Sequence, residues 1–157
     1  MGPEEWKELA IMIASGAVGT LAFAVIFSVK PKHLIFATLG GIIACILYFF
    51  TKNIGLFAAN AISSFAVTMY SELISRLRKA PVVTFLTPAV ITLVPGGSLY
   101  RCVASMIAKN YKEAGGYALD TLNVCLGIAA GIMVASLCVS CFFLIKKKII
   151  SRREAKG

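Results

Sequence analysis

Residues 82–101 read VVTFLTPAVITLVPGGSLYR, and this stretch decides how the chain folds. Its first 19 residues carry no charge, and about 20 apolar residues are enough for a helix to cross a bilayer. Pro88 and the run Pro95-Gly96-Gly97 interrupt the segment, because proline removes a backbone donor and clashes with the preceding helical turn. Carbonyls freed in lipid need partners in protein or in a wet cavity. The stretch therefore predicts a membrane segment broken at Pro95-Gly96-Gly97.

The composition of the whole chain agrees with this reading. Of its 157 residues, 59% are hydrophobic and 15% are charged, whereas a soluble domain carries about 25% charged residues. The formal charge of +9 comes from cations at the ends of apolar runs, without interleaved stacking aromatics, which argues against nucleic acid as a partner. The sequence predicts an all-α integral membrane protein, with residues 1–157 forming one domain in the lipid bilayer.

Four further apolar runs bring the predicted number of transmembrane helices to about five. Charged or Pro-containing loops separate them, and residues 101–116 predict a short interfacial helix before the last span. The predicted spans are residues 9–29, 34–51, 54–74, 82–100 and 121–145. A basic tail follows at residues 146–157.

The distribution of cations predicts the orientation. With a cytoplasmic C-terminus, the inward segments hold eleven of the 16 Lys and Arg residues. The positive-inside rule therefore favours an external N-terminus and a cytoplasmic C-terminus. If residues 82–100 instead re-enter the membrane, the N-terminus moves to the inside.

Small residues predict where helices touch. Gly127-x-x-x-Gly131 and Ser15-x-x-x-Gly19 match the small-xxx-small pattern that lets two membrane helices approach closely. Cys138-x-x-Cys141 lies inside an uncharged run, where cysteine behaves as a small apolar side chain. His33 follows Lys30-Pro31-Lys32 and is predicted to be an interfacial loop residue.

The search for chemistry yields no catalytic constellation. No pair of carboxylates lies at the centre of a span, and there is no HExxH, nucleophile elbow or P-loop. The sequence therefore predicts a protein that is not an enzyme and has no metal and no cofactor. Transport or scaffolding remain as functions.

The broken segment is the predicted substrate site. Half-helix N-termini in membranes present partial positive charge to anionic groups. Gly96 and Gly97 permit unusual backbone angles, Ser98 is placed to cap a helix that starts at Leu99, and Arg101 is placed to pair with a carboxylate. The alternative, of equal weight, is a kinked structural helix with Arg101 at the headgroups.

Residues 87–101, with Leu93-Val94-Pro95-Gly96 and Tyr100, resemble the threonine/serine exporter family, and in particular the short membrane proteins that correspond to its C-terminal half. The resemblance implies a secondary exporter of small hydrophilic metabolites in a bacterial cell membrane. It implies a larger partner subunit that matches the N-terminal half of the family. It also implies that Pro95, Gly96, Gly97 and Tyr100 belong to the substrate site.

Threonine or serine is the expected substrate, and two alternatives stay open. One is export of a dicarboxylate such as succinate with the same partner, since some relatives are linked to dicarboxylates; the other is a non-transporting scaffold subunit. A homo-oligomer is a further expectation, because five short spans hardly enclose a pathway alone. Asp120 and Glu72 are the candidates for proton coupling, although Glu72 also has Arg76 one helical turn away.

Overall fold

The structure is a computed structural model that describes the backbone of residues 3–154 and the side chains of residues 4–143. Helices fill most of this range, and no strand occurs within it. A 3-10 turn at Lys52–Ile54 joins the second helix to the third. The helices are α1 Pro3–Ile26, α2 Pro31–Thr51, α3 Leu56–Arg78, α4 Val83–Ile91, α5 Gly96–Ile107 and α6 Tyr111–Glu154.

Three helices are long and apolar enough to cross a membrane: α1, α2 and residues 111–143 of α6. The pair α4 and α5 passes the same test jointly, with a bend of 46° between its halves. The all-α membrane fold and its broken fourth segment are thus confirmed. Helix α3 has 23 residues but carries a row of polar side chains and does not pass. The count of about five spans stays a prediction.

Helices α3 and α6 run parallel and form a close contact. A Cβ atom at Gly127 would meet the carbonyl of Phe57, and one at Gly131 would overlap the carbonyl of Ala61 and the hydroxyl of Ser64. Further along, the guanidinium of Arg76 lies 4.1 Å from the ring centroid of Phe143. The small-residue motif at Gly127 and Gly131 is therefore a packing surface, as predicted. Phe143 of α6 therefore lies beside the C-terminal end of α3.

The predicted contact motif on α1 is wrong by one residue. Nothing lies within 4 Å of a Cβ placed at Gly19, and Ser15 is exposed. The contact with α2 is made instead by Gly16, whose Cβ would overlap the thiol of Cys45, and by Thr20, whose side chain fills the space beside Gly41. Adjacent residues of a helix point about 100° apart around its axis. The predicted motif therefore lies on the face of α1 next to the one that contacts α2.

Three local predictions need correction. Residues 101–116 are not a separate interfacial helix, because residues 101–107 continue α5 and residues 111–116 begin α6. The last helix continues past residue 145 to Glu154, and the side chains of the predicted basic tail lie outside the described part of the chain. His33 is not a loop residue: it lies in the first turn of α2, 5% exposed, edge-on to Phe85.

Candidate functional site

The break between α4 and α5 is a tight turn centred on Pro95. Its φ of −78° and ψ of 54° are those of an inverse γ-turn, closed by a 2.8 Å hydrogen bond from the Gly96 N–H to the Val94 carbonyl. Pro95 is the N-cap of α5, so Ser98 is its third residue and makes no capping bond. Among the described glycines only Gly55 has a positive φ. The predictions of a Ser98 cap and of unusual angles at Gly96 and Gly97 are wrong, because proline makes the turn.

The turn leaves backbone groups without partners. Hydrogen bonds at the break run from Leu93 to Val90, from Val94 to Ile91 and from Leu99 to Pro95. Within the described range, the N–H groups of Gly97 and Ser98 have no acceptor. The carbonyls of Thr92 and Leu93 likewise have no backbone donor. An apolar membrane segment therefore presents two free donors at a helix N-terminus, where the helix dipole favours a negative group.

A cavity of about 260 Å³ adjoins these groups. No charged residue lines it, and residues of four other helices line it together with the break. It is smaller than the roughly 300–1,000 Å³ of pockets for drug-sized ligands, which suits a small solute. Its walls are Met12 from α1, Cys45 and Tyr48 from α2, Asn60 from α3, Val124 from α6, and residues 92–98.

Asn60 supplies a buried polar side chain to the lining of this cavity. The residue is 1% exposed, and its Nδ2 donates to the Leu56 carbonyl at 2.7 Å. Its Oδ1 is buried and has no hydrogen-bond partner in the part of the chain that the structure describes. An unpaired buried acceptor costs about 1–3 kcal/mol, so the Oδ1 atom of Asn60 is an unsatisfied acceptor on a residue that lines the cavity.

The structure brings together four of the predicted site residues and separates the others. Pro95, Gly96, Gly97 and Ser98 line the cavity. Tyr100 is 75% exposed, and Arg101 is exposed with its guanidinium 6.0 Å from the Tyr117 ring centroid. Neither lines the cavity, because one turn into α5 the side chains point to the outer face of the helix.

The two carboxylates proposed for proton coupling lie apart. Glu72 forms a 2.9 Å ion pair with Arg76 on the same face of α3 and lines neither of the two cavities that border α4. Asp120 is half-buried on α6, one turn before the cavity residue Val124. It makes no ion pair within residues 4–143.

Sequence reasoning missed the contributions of α2 and α3 to the cavity. The signal for α3 is a row of polar residues with helical spacing inside an apolar run, all of them buried: Asn60, Ser63, Ser64, Thr68 and Ser71. Polar residues inside a membrane span mark functional sites, and this row points to Asn60. Tyr48 and Cys45 carry no such signal, because small and aromatic residues are ordinary in membrane helices.

The fold and this cavity define a class: an all-α membrane protein in which a broken helix borders an uncharged pocket with unpaired polar groups. The sequence model of one family, described as "Threonine/Serine exporter, ThrE", matches residues 12–138. The chain belongs to this family, which is a family of transporters. No curated protein and no solved structure matches the chain.

Proposed function

We propose that this protein carries a small zwitterionic amino acid, threonine or serine, out of a bacterial cell. The observation that carries the proposal is the pairing of free donors and a free acceptor around one cavity. The N–H groups of Gly97 and Ser98 suit a carboxylate, and the Oδ1 atom of Asn60 suits an ammonium group. An α-amino acid has both groups on one carbon atom.

The absence of charge from the cavity lining favours a zwitterion over a dicarboxylate. A buried ion without a partner is strongly unfavourable in a medium of low dielectric. A zwitterion has no net charge, and each of its ends finds a complementary dipole here. A dianion such as succinate brings two negative charges to a lining without Lys or Arg. Threonine or serine is therefore the substrate class that we propose.

The surroundings of α4 suggest how a solute passes. A second cavity is lined by residues of α4 from Val83 to Pro88, so only residues 89–91 of this helix lie between it and the substrate cavity, whose lining begins at Thr92. Phe85 and Ala89 are fully buried there, and Pro88 is nearly so. We infer that this packed group closes the pathway and that the turn at Pro95 is the hinge about which α4 moves relative to α5.

The remaining parts of the proposal concern orientation, partners and coupling. The connections α1–α2 and α3–α4 border one cavity, and Phe143 of α6 lies beside the end of α3, which supports placing both connections and the C-terminal part of α6 on the cytoplasmic side. We propose a larger membrane subunit matching the N-terminal half of the family as the partner.

Energy for transport comes from an ion or proton gradient. Asp120 is the better proton carrier, since Glu72 is already paired with Arg76.

Joining the two half-helices tests the proposal. The triple substitution Pro95→Ala, Gly96→Ala, Gly97→Ala raises helix propensity by about 5 kcal/mol in total, which favours a continuous helix over the turn. We expect threonine efflux to fall by more than ~10-fold while membrane insertion is retained. Efflux is measured in cells that produce this protein together with its partner, at equal expression.

The matched control is Gly115→Ala with Gly116→Ala, two glycines whose added Cβ atoms meet nothing within 4 Å. Efflux should be unchanged in this variant. Normal efflux from the triple variant would remove the broken helix from the transport site. Loss of efflux in both variants would show that glycine replacement acts through folding.

A further inference from the structure

A cavity of about 470 Å³ lies where the α1–α2 and α3–α4 connections meet. Along α2, His33 of this cavity and Cys45 of the substrate cavity are twelve positions apart, roughly 18 Å. Along α4, Pro88 and Thr92 of the two linings are four positions apart. Four cations line the larger cavity: Lys30, Lys32, Arg78 and Lys79. No carboxylate lines it, so this basic cavity differs in chemistry from the uncharged substrate cavity.

The charge of the basic cavity is uncompensated. None of its four cations forms an ion pair with an acidic residue among the described side chains. Arg78 has its guanidinium 4.0 Å from the ring centroid of Phe36, a contact that leaves its charge in place. The nearby acidic residue Glu72 is already held by Arg76. All four side chains are exposed, so water and salt screen their mutual repulsion, and an anion that enters the cavity reduces it further.

Backbone and side-chain groups add to this preference. Helices α2 and α4 both begin at the cavity, and the N–H groups of Lys32 and Val83, in their first turns, have no acceptor in the described part of the chain. His33 lines the cavity, is 95% removed from solvent, and its Nδ1 atom has no hydrogen-bond partner there. Two helix N-termini and four cations therefore converge on one space.

We propose that the basic cavity binds a phosphate group, which is supplied by the headgroup of an anionic phospholipid or by free phosphate. A phosphate accepts hydrogen bonds in several directions at once, which matches donors from two helix N-termini and four side chains. Basic pockets between membrane helices at the cytoplasmic surface recognise such headgroups. A bound phosphate links the starts of α2 and α4 to the end of α3 and stabilises the N-terminal end of α4.

The test uses the full chain in detergent with added phosphatidylglycerol and counts bound lipid by native mass spectrometry. The variant is Lys32→Gln with Lys79→Gln, and the control is Lys112→Gln with Lys109→Gln. The two pairs match closely. Lys32 and Lys112 are each the second residue of a helix, and Lys79 and Lys109 each follow a helix with positive φ, 50° and 59°. Only the first pair lines the cavity.

We expect the cavity variant to lose affinity for the lipid by roughly 30-fold, while the control changes by less than about threefold. A second arm adds sodium phosphate or sodium chloride at equal ionic strength, and a third adds threonine. Displacement of the lipid by phosphate alone would make free phosphate a second source of the same group. No displacement would make the lipid the ligand.

Three results would overturn the proposal. One is equal loss in both variants, which would mean general surface charge. Another is wild-type protein that retains neither lipid nor phosphate. The third is displacement of the lipid by threonine as strongly as by phosphate, which would make the cavity a vestibule for the solute. Circular dichroism of each variant checks that helix content is retained.

Discussion

Two pairs of glycines in this protein serve opposite purposes. Gly127 and Gly131 lie in the contact between α3 and α6, where an added Cβ would overlap backbone atoms of Phe57 and Ala61. Gly96 and Gly97 begin α5 beside the substrate cavity, where an added Cβ would meet nothing within 4 Å. The first pair is required by packing. The second pair is not required by packing or by φ, so we infer that it keeps the backbone accessible to a ligand.

The α3–α6 contact and the break at Pro95 also differ in what they contribute to the stability of the protein. Membrane helices associate without a hydrophobic driving force, so close backbone approach supplies much of the stability of α3 against α6. The break at Pro95, by contrast, lacks backbone hydrogen bonds that a continuous helix would form, and it leaves N–H groups free. Stability should therefore respond strongly to changes in the α3–α6 contact, and transport should respond strongly to changes at the break.

The largest effect is expected from Gly131→Val. Its side chain would overlap the Ala61 carbonyl, the Ser64 hydroxyl and the Phe65 amide nitrogen, so α3 and α6 must separate. We expect the free energy of unfolding to fall by about 3 kcal/mol, the upper end of the cost of overpacking a core. Chemical unfolding in detergent, followed by circular dichroism, measures it. Gly116→Val on the same helix adds a Cβ that meets nothing and should cost far less; equal losses would contradict the contact.

A smaller loss is expected from Gly41→Ala in the α1–α2 contact. The new Cβ would overlap the Thr20 side chain, with the Thr20 Cβ only 2.8 Å away. We expect the free energy of unfolding to fall by about 2 kcal/mol. Gly19→Ala, on the face of α1 that the sequence motif selected, should be neutral, because nothing lies within 4 Å. Thermal unfolding midpoints compare the two variants. A destabilised Gly19→Ala with a neutral Gly41→Ala would restore the Ser15 and Gly19 contact.

Some features of this fold follow from the sequence alone because the bilayer constrains them. A long uncharged run must be helical in lipid, and a proline followed by two glycines disfavours a continuous helix at Pro95. Pro88 shows that proline alone does not decide the break, since it lies inside α4. The α1 contact did not follow, since Ser15/Gly19 and Gly16/Thr20 are both small-residue pairs in the sequence. Only the position of α2 decides between them.

The candidate site likewise has one part that local sequence predicts and another part that depends on how the helices pack. Pro95, Gly96, Gly97 and Ser98 lie in one turn, so local sequence places them together. The contribution of Asn60 depends on how α3 packs beside the break, 35 residues away in sequence. Tyr100 and Arg101 were predicted at the site because they are near in sequence, whereas the helical phase of α5 turns them away from it.

Asn60→Leu should separate stability from function. Leucine removes the buried Oδ1 atom that lacks a partner, so we expect the free energy of unfolding to rise by about 1 kcal/mol. It also removes the acceptor for the ammonium group, so threonine binding to purified protein should weaken by about tenfold or more. Thermal unfolding and isothermal titration calorimetry measure the two effects. Unchanged threonine binding would remove Asn60 from the site.

Gly97→Ala should have the smallest effect on stability, within about 0.5 kcal/mol, because its Cβ meets no atom within 4 Å. It should still reduce threonine efflux, since a methyl group then lies beside the free Gly97 N–H at the cavity wall. Gly97→Val should reduce efflux further, whereas Gly115→Ala, equally free of contacts, should leave efflux unchanged. A graded loss of efflux at constant unfolding midpoint is the result that packing alone does not produce. If the loss of efflux at Gly97 is accompanied by a matching loss of stability, the two glycine pairs serve one purpose and the ligand argument fails.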